Sequence, residues 1–248
     1  MGKAYAISPA NAIAYTVSAT NEDASYPDSN LFDLDPAVPF KATTTATTLS
    51  LTHASLARKI IAVINPSVLA GASTYTAGGV AVTCPARTAD GQAANHFQVL
   101  DLGASTTTSV VISGATVTVQ IGELVLGSAL TELNWTWGGN SPGTSDDYTW
   151  PTRGPGQTFY GSDLFYNTGV RTRRASGQLK RQADRATWLA LAQAAQGRNI
   201  PFVFIPDLDV NDCWYVRFAS DTLSALRRMT NVTDCTITLE EVSSGLVL

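Results

Sequence analysis

Residues 197–218 read GRNIPFVFIPDLDVNDCWYVRF. The run IPFVFI is short, β-branched and aromatic, and apolar at each position, so it has no wet face. Such a run reads as a central strand covered on both sides. PDLDVND is then a turn, and CWYVRFA the returning strand of a hairpin. Asp207, Asp209 and Asn211 are spaced like the start of an EF-hand loop, but the sixth place is Asp212 rather than glycine and the twelfth is Phe218 rather than glutamate, which argues against calcium by that mechanism. These side chains are expected to satisfy turn amides. Upstream, Trp188, Leu191, Ala192 and Ala195 recur on one helical face, which predicts a helix over 185–196 with Asp184 as N-cap, Gly197 in the left-handed position after it, and Trp188 as its anchor into a sheet. Downstream, Cys235, Ile237 and Leu239 alternate inward in NVTDCTITLEEVSSG, a closing strand. Residues 165–242 therefore read as strand, helix, hairpin, strand.

The 248 residues, 44% hydrophobic and 15% charged, suffice for one large all-β unit or two smaller domains. Cys84, Cys213 and Cys235 have no CxxC spacing and read as buried small hydrophobes in a chain made in a reducing compartment. The N-terminal stretch is broken by Pro9 and Asn11, unlike a signal peptide, and no run has the length of a membrane span. Residues 1–150 hold 5 Lys or Arg against 11 Asp or Glu, and residues 151–248 hold 11 against 9, so a net charge of −6 precedes one of +2. Two domains with different neighbours and chance variation on solvated faces both fit this asymmetry.

Residues 1–133 are punctuated as short strands. KATTTATTLSLT, GASTTTSVVISG and ATVTVQIGELVLG alternate Thr and Ser with Val, Ile and Leu, the period of half-buried strands, and clusters such as NPSVLAGAS separate them at intervals that suit an antiparallel sandwich or jelly roll. SYPDSNLFDLDPAVPFKA with the following TLSLTHASLARKIIAVINP resembles the opening of a discoidin-like, galactose-binding-like β-sandwich, and VTVQIGELVLG its closing strand. Leu34 stands where glycine is usual between the two aspartates, and Phe40 where Trp is common. The resemblance implies a structural calcium position at Asp33 and Asp35 with Asn30 as a carbonyl donor; the same aspartates are equally the makings of a tight Asx turn, the reading favoured here.

Residues 134–166 hold eight of the chain's 21 aromatics, among them Trp135, Trp137 and Trp150, set in Gly, Pro, Ser and Asp. A sugar-stacking platform and an arm that buries its rings against a second domain or a neighbouring copy are both open, the contact reading having the larger share. Arg171, Arg173, Arg174, Lys180, Arg181 and Arg185 put six basic residues within fifteen. Without a recognition motif or interleaved stacking aromatics, they are expected to be a solvated strand face or to pair with an acidic neighbour rather than to bind nucleic acid.

The Arg-rich strand, the helix with WLALA, then GRNIPFVFIPD, CWYVRF and TITLEEV resemble the C-terminal portion of distal-tail or minor tail proteins from the tail tip of long-tailed bacteriophages. The expectation is a mainly β protein: a galactose-binding-like β-sandwich over 1–133, a connecting arm over 134–164, and a β-rich domain over 165–248 with the helix at 185–196. The resemblance implies a virion structural protein, made in the host cytoplasm, that assembles as a homo-oligomeric ring with other tail proteins and joins the tail tube to the distal adsorption apparatus. Trp135, Trp137, Trp150, Arg171, Arg173 and Arg174 are its candidate contact residues. A carbohydrate-binding module that meets a host-surface glycan is the alternative, and a glycoside-acting enzyme a third reading. His53 and His96 lie apart in sequence, no GxSxG, HExxH, Walker loop or GxGxxG is present, and no cofactor is expected.

Overall fold

The computed structural model describes residues 3–66, 73–84, 95–134, 136–137, 156–157, 163–164, 174–179, 182–206, 208–209, 213–219 and 235–242. Its elements run β1 (Lys3–Ile7), β2 (Tyr15–Ala19), a 3-10 turn (Asp28–Leu31), β3 (Phe40–Lys41), β4 (Thr47–Ile64), β5 (Ser73–Ala77), β6 (Val80–Cys84), β7 (His96–Ser113), β8 (Gln120–Ile121) and β9 (Glu123–Gly127). They continue with β10 (Thr131–Asn134), β11 (Thr136–Trp137), β12 (Gly156–Gln157), β13 (Asp163–Leu164), β14 (Arg174–Leu179), α1 (Gln182–Ala194), β15 (Phe202–Ile205), β16 (Trp214–Phe218) and β17 (Cys235–Glu241). The protein is mainly β, as the strand periods predict.

The sandwich is built on two long strands. β4 pairs antiparallel with β7 along nearly its whole length, with irregular register around Leu56, and the sheet runs β2-β4-β7-β5-β6 with β9 on the far half of β4. The near half of β4 alternates, with Leu49 and Leu51 buried and Ser50 and Thr52 turned outward, because TLSLTH has one apolar face. The far half, KIIAVI, is buried throughout. Ile61 and Val63 enter the sandwich core with Tyr75, Leu100, Val110, Ile112, Leu124 and Leu126, while Ile60, Ala62 and Ile64 face the other way.

What they face is a second sheet, ordered β10-β1-β15-β16-β17-β14-β11. Its two edge strands are separated only by residue 135: residues 131–134 pair with β1, and residues 136–137 pair with β14. One segment therefore serves both edges, and the sheet closes on itself as a barrel. The sequence boundary at residue 133 leaves β1 and β10 with the sandwich, whereas the ladder places both in the barrel, because KAYAI, apolar on both faces, pairs with FVFI. The sandwich is thus an insertion between two neighbouring barrel strands.

β15 and β16 pair antiparallel, as the hairpin reading of residues 197–218 predicts. β15 is buried at all four positions: Phe202 and Phe204 join Trp188, Leu191 and Ala195 of the helix side, while Val203 and Ile205 face Ile60, Ala62 and Phe97 of the sandwich. Trp188 is fully buried, its ring edge-on to Phe218 at 6.4 Å. The helix begins at Gln182, so Asp184 is not its N-cap but lies in its first turn. Its end is a Schellman motif: Gly197 N–H donates to Ala192 O (2.8 Å) and Gln196 N–H to Gln193 O (3.1 Å), with Gln196 and Gly197 at φ 50 and 72.

Candidate binding and assembly surfaces

The neck between barrel and sandwich is short and cross-tied. Residues 8–14 lead in and residues 128–130 lead out. Ser128 N–H donates to Asn11 O (2.9 Å), and the Asn11 amide donates to Thr131 Oγ1 (3.1 Å). Gly127 is required here, since a Cβ on it would sit 2.6 Å from Ile7 Cγ2. Beside the neck, Ser8, Asn11, Thr131, Thr187 and Leu191 line an open, uncharged crevice of about 450 Å³.

At the rim of the seam lies a polar cluster. Glu123 is 1% exposed; its Oε1 and the Tyr215 hydroxyl have no hydrogen-bond partner among the described residues. Burial, then the neighbouring Asp33 carboxyl, push the Glu123 carboxyl up to about 9 against the pull of the Leu34 and Asp35 amides, so it is protonated at neutral pH. Tyr215 is raised by burial and by Glu123 and Asp33. The Tyr15 hydroxyl, raised chiefly by burial, is shared between the carbonyls of Leu31 and Leu124. Close by, Asn65 N–H donates to Asn95 Oδ1 (2.7 Å), and the Asn95 amide to Glu241 Oε1 of β17 (3.5 Å), so the network spans both units. A single charged residue inside the apolar run QIGELVLG was the signal for Glu123, which the sequence reading passed over.

The loop implied to hold calcium has its oxygens engaged within itself. Asp33 Oδ1 accepts Asp35 N–H (2.9 Å), Asp35 Oδ1 accepts Ala37 N–H (3.0 Å), and the Asn30 amide donates to Pro39 O (3.2 Å). Among the described residues no three His, Cys, Asp or Glu side chains converge as a metal site. Two of the carboxylate oxygens are thus taken by turn amides, which is the Asx-turn arrangement.

His53 is buried, with Nδ1 2.7 Å from Ala54 O and Nε2 2.9 Å from Thr108 Oγ1. His96 is buried edge-on to Tyr75 at 4.6 Å. The ladder pairs His96 with Val63, ten residues along β4 from His53, on the order of 30 Å at strand rise, so the two do not meet in one site. Lys59, 1% exposed, donates to Leu56 O (2.8 Å) and Gly103 O (3.4 Å), capping the irregular part of the β4–β7 pair.

Of the contact candidates, Trp135, Trp150, Arg171 and Arg173 lie outside the described residues, as do Asp207, Asn211 and Asp212 of the turn. Trp137 lies in β11 opposite Gly177, and Arg174 begins β14 opposite Glu240. Cys213 is buried, as a small hydrophobe in the seam core. No helix among the described residues is long and apolar enough to cross a membrane.

The fold these residues define is a β-sandwich inserted into a closed sheet with one helix. No protein-family profile matches the chain, and no curated protein matches it. Among solved structures it is similar to the family 32 CBM of NanJ from Clostridium perfringens in complex with galactose, at 17% identity over 50% of this chain and 98% of that one, TM-score 0.35. It is similar to a pectin-binding carbohydrate-binding module at 16% identity over 48% and 93%, TM-score 0.34. A family 89 glycoside hydrolase from Clostridium perfringens matches at 11% identity over 46% of this chain and 14% of that one, TM-score 0.35.

Proposed function

We propose that this chain is a non-catalytic protein that acts by surface contact, with the barrel as its assembling part and the sandwich held out from it. The observation that carries this reading is the insertion: a complete sandwich enters and leaves between β1 and β10 through a cross-tied neck and is packed to the barrel by the apolar seam. In its finer form the chain is a structural protein of a long-tailed bacteriophage tail tip, built into a ring that joins the tail tube to the adsorption apparatus. Supporting it are the sequence resemblance along the second half and the strand, helix, hairpin, strand order of β14 to β17. Mass photometry and negative-stain imaging of the purified chain test it: rings of one fixed stoichiometry support it, and a strict monomer that also stays unassembled when mixed with tail components sinks it.

A glycan-binding role for the sandwich is the second reading. It is favoured by the loops of residues 20–26 and 41–46, which contribute no side chain to the seam and bring Lys41 Nζ over the Tyr26 ring at 3.6 Å beside Asn21, Glu22 and Asp23. Binding of the intact chain to a glycan array, lost on Tyr26→Ala, decides it; release of products from a polysaccharide would instead favour a glycoside-acting enzyme.

A further inference from the structure

The hairpin of β5 and β6 ends the sandwich sheet on an edge that carries none of the usual protection. Among the described residues β6 (Val80–Cys84) pairs with β5 alone, and its ladder runs without a bulge. Exposed edges are ordinarily blunted by a charge, a proline or a bulge, because an open row of N–H and C=O groups templates another strand. VAVTC has no charge and no proline. Val80 is 42% exposed, and Ala81 and Thr83 are exposed as well.

The direction of each backbone group follows from the turn. Gly78 and Gly79, at φ 54 and 84, form a two-residue loop of the type that matches strand twist, so Ala77 and Val80 are a hydrogen-bonded pair. Pairs alternate from there: Tyr75 bonds Val82, while Ala81 and Thr83 turn N–H and C=O away from β5. The buried Gln98 ties the hairpin, its Nε2 donating to Tyr75 O (3.2 Å) and Val80 O (3.0 Å). Ala81 and Thr83 continue the outer face of the sheet beyond Thr76 and Thr74, and Val80 and Val82 stand on its inner face at the rim of the core. Charge is absent around this edge: no Asp, Glu, Lys or Arg occurs between Lys59 and Arg87 or between Asp101 and Glu123, in a chain of net charge −4. A contact about a two-fold axis brings each patch against its own copy, so any charge there would meet its like, and this edge has none.

We propose that β6 is a self-pairing edge whose occupant is β6 of a second copy, joined antiparallel about a two-fold axis at Val82. In that register Ala81 lies opposite Thr83 of the second copy and exchanges both backbone hydrogen bonds with it, and the axis repeats the exchange at Thr83. The two Val82 residues meet as a non-hydrogen-bonded pair, with Cα atoms about 4.5 Å apart. The two sandwich sheets become one continuous sheet, and Val80 and Val82 gain cover. With 5 residues in β6, the contact falls well below the ~800 Å² per partner of a standard interface, so the pairing is weak and reversible. The inference goes beyond the assembly reading and does not depend on it; rings built through the barrel would be joined in pairs by this edge.

Sedimentation equilibrium on the full chain up to about 100 µM tests the pairing. Wild type should move reversibly from the 26.2 kDa protomer to twice that mass, or pair whatever ring it forms. Added salt should leave the pairing intact, because no ion pair holds it. Ala81→Lys with Thr83→Lys puts charges on exposed positions of the edge and should weaken the pairing by roughly tenfold or more at unchanged Tm. Val82→Cys, combined with Cys84→Ser, should form an intermolecular disulfide on mild oxidation, since Cα atoms about 4.5 Å apart suit the bond. If the lysines lower Tm, the cross-link alone decides. A wild type that never pairs overturns the proposal and leaves the ring reading to its own test; a strand of a different protein on this edge would give that outcome. Pairing that survives both lysines, dissolves in salt or yields no cross-link overturns this edge and leaves assembly standing.

Discussion

Replacing Glu123 with Gln removes a titrating proton from the seam without changing its shape, and the effect on stability has a definite sign. The folded carboxyl titrates near 9 against 4.5 for an ordinary glutamic acid. A group raised in this way contributes its stability in full below about 4.5 and loses it as pH climbs towards 9, because the unfolded chain gives up the proton while the folded one keeps it. Each pH unit in that window costs a little over ~1 kcal/mol, so wild type should lose about 3 kcal/mol between pH 6 and pH 8 through this residue. At roughly 2–4 °C per kcal/mol for a chain of this size, that is on the order of 10 °C of Tm. Glu123→Gln cannot titrate, so its Tm should vary with pH only as the other groups dictate, and the wild-type and variant curves should converge towards acid and separate towards base. Differential scanning calorimetry at matched ionic strength measures this. Parallel curves from pH 6 to pH 8 would refute the reasoning. So would a rise in wild-type Tm on adding calcium that disappears in Glu123→Gln, since that would place an ionised, metal-bound carboxylate where a protonated one is derived.

Three further outcomes follow from the packing. Trp188→Ala removes a fully buried indole and should cost about 3–5 kcal/mol in urea unfolding, whereas Asp209→Ala, exposed in the hairpin turn, should stay within about 1 kcal/mol. Gly127→Ala drives a methyl against Ile7 and should cost about 1–3 kcal/mol, most of it recovered in the double variant with Ile7→Ala; additive losses would mean that the two do not touch. A fragment of residues 134–248 should fail to give a cooperative transition by circular dichroism, because without β1 the strand β15 loses a ladder partner and Phe204 loses its neighbours Ala4 and Ala6.

The sequence made the barrel's centre legible because its strand is extreme: FVFI is apolar at four successive positions, and only burial on both faces accommodates that. KIIAVI carries the same signal, and the two runs pack on each other through Ile60, Ala62, Val203 and Ile205. Set inside the longer alternating strand TLSLTHASLARKIIAVI, it passes for one more half-buried strand, so the seam was not foreseen. β1 was harder still, since KAYAI buries small alanines on the helix side and Ile7 on the sandwich side, and nothing local says that its partner is two hundred residues away. The Asp-x-Asp loop was legible as Asx turns from side-chain chemistry alone. The carboxyl pairing of Asp33 with Glu123 was not, because it depends on the loop folding back across the start of β9, a long-range fact. The helix end was readable from Gly197 and its start was not, since Asp184 suits a cap and a first turn equally well.

The manner of the sandwich's attachment bears on what it is for. A module that captures a ligand on behalf of a distant partner gains from a long flexible linker, which lets it search and adds avidity through effective concentration. Here the connections are residues 8–14 and 128–130, hydrogen-bonded to each other at Asn11, and the two units share a core that includes Ile7, Ile60, Phe97, Val203 and Tyr215. Rotation of the sandwich against the barrel would strip that core and strand Glu123, Tyr215 and the Asn65–Asn95–Glu241 network in water or unpaired. Such an attachment gives up search and secures orientation: a load on the sandwich is delivered to β15 and β16 through packed side chains rather than through a tether. Fixed orientation is of little use to a module that must find a scattered glycan, and it is what a subunit needs when its neighbours must meet it at one angle.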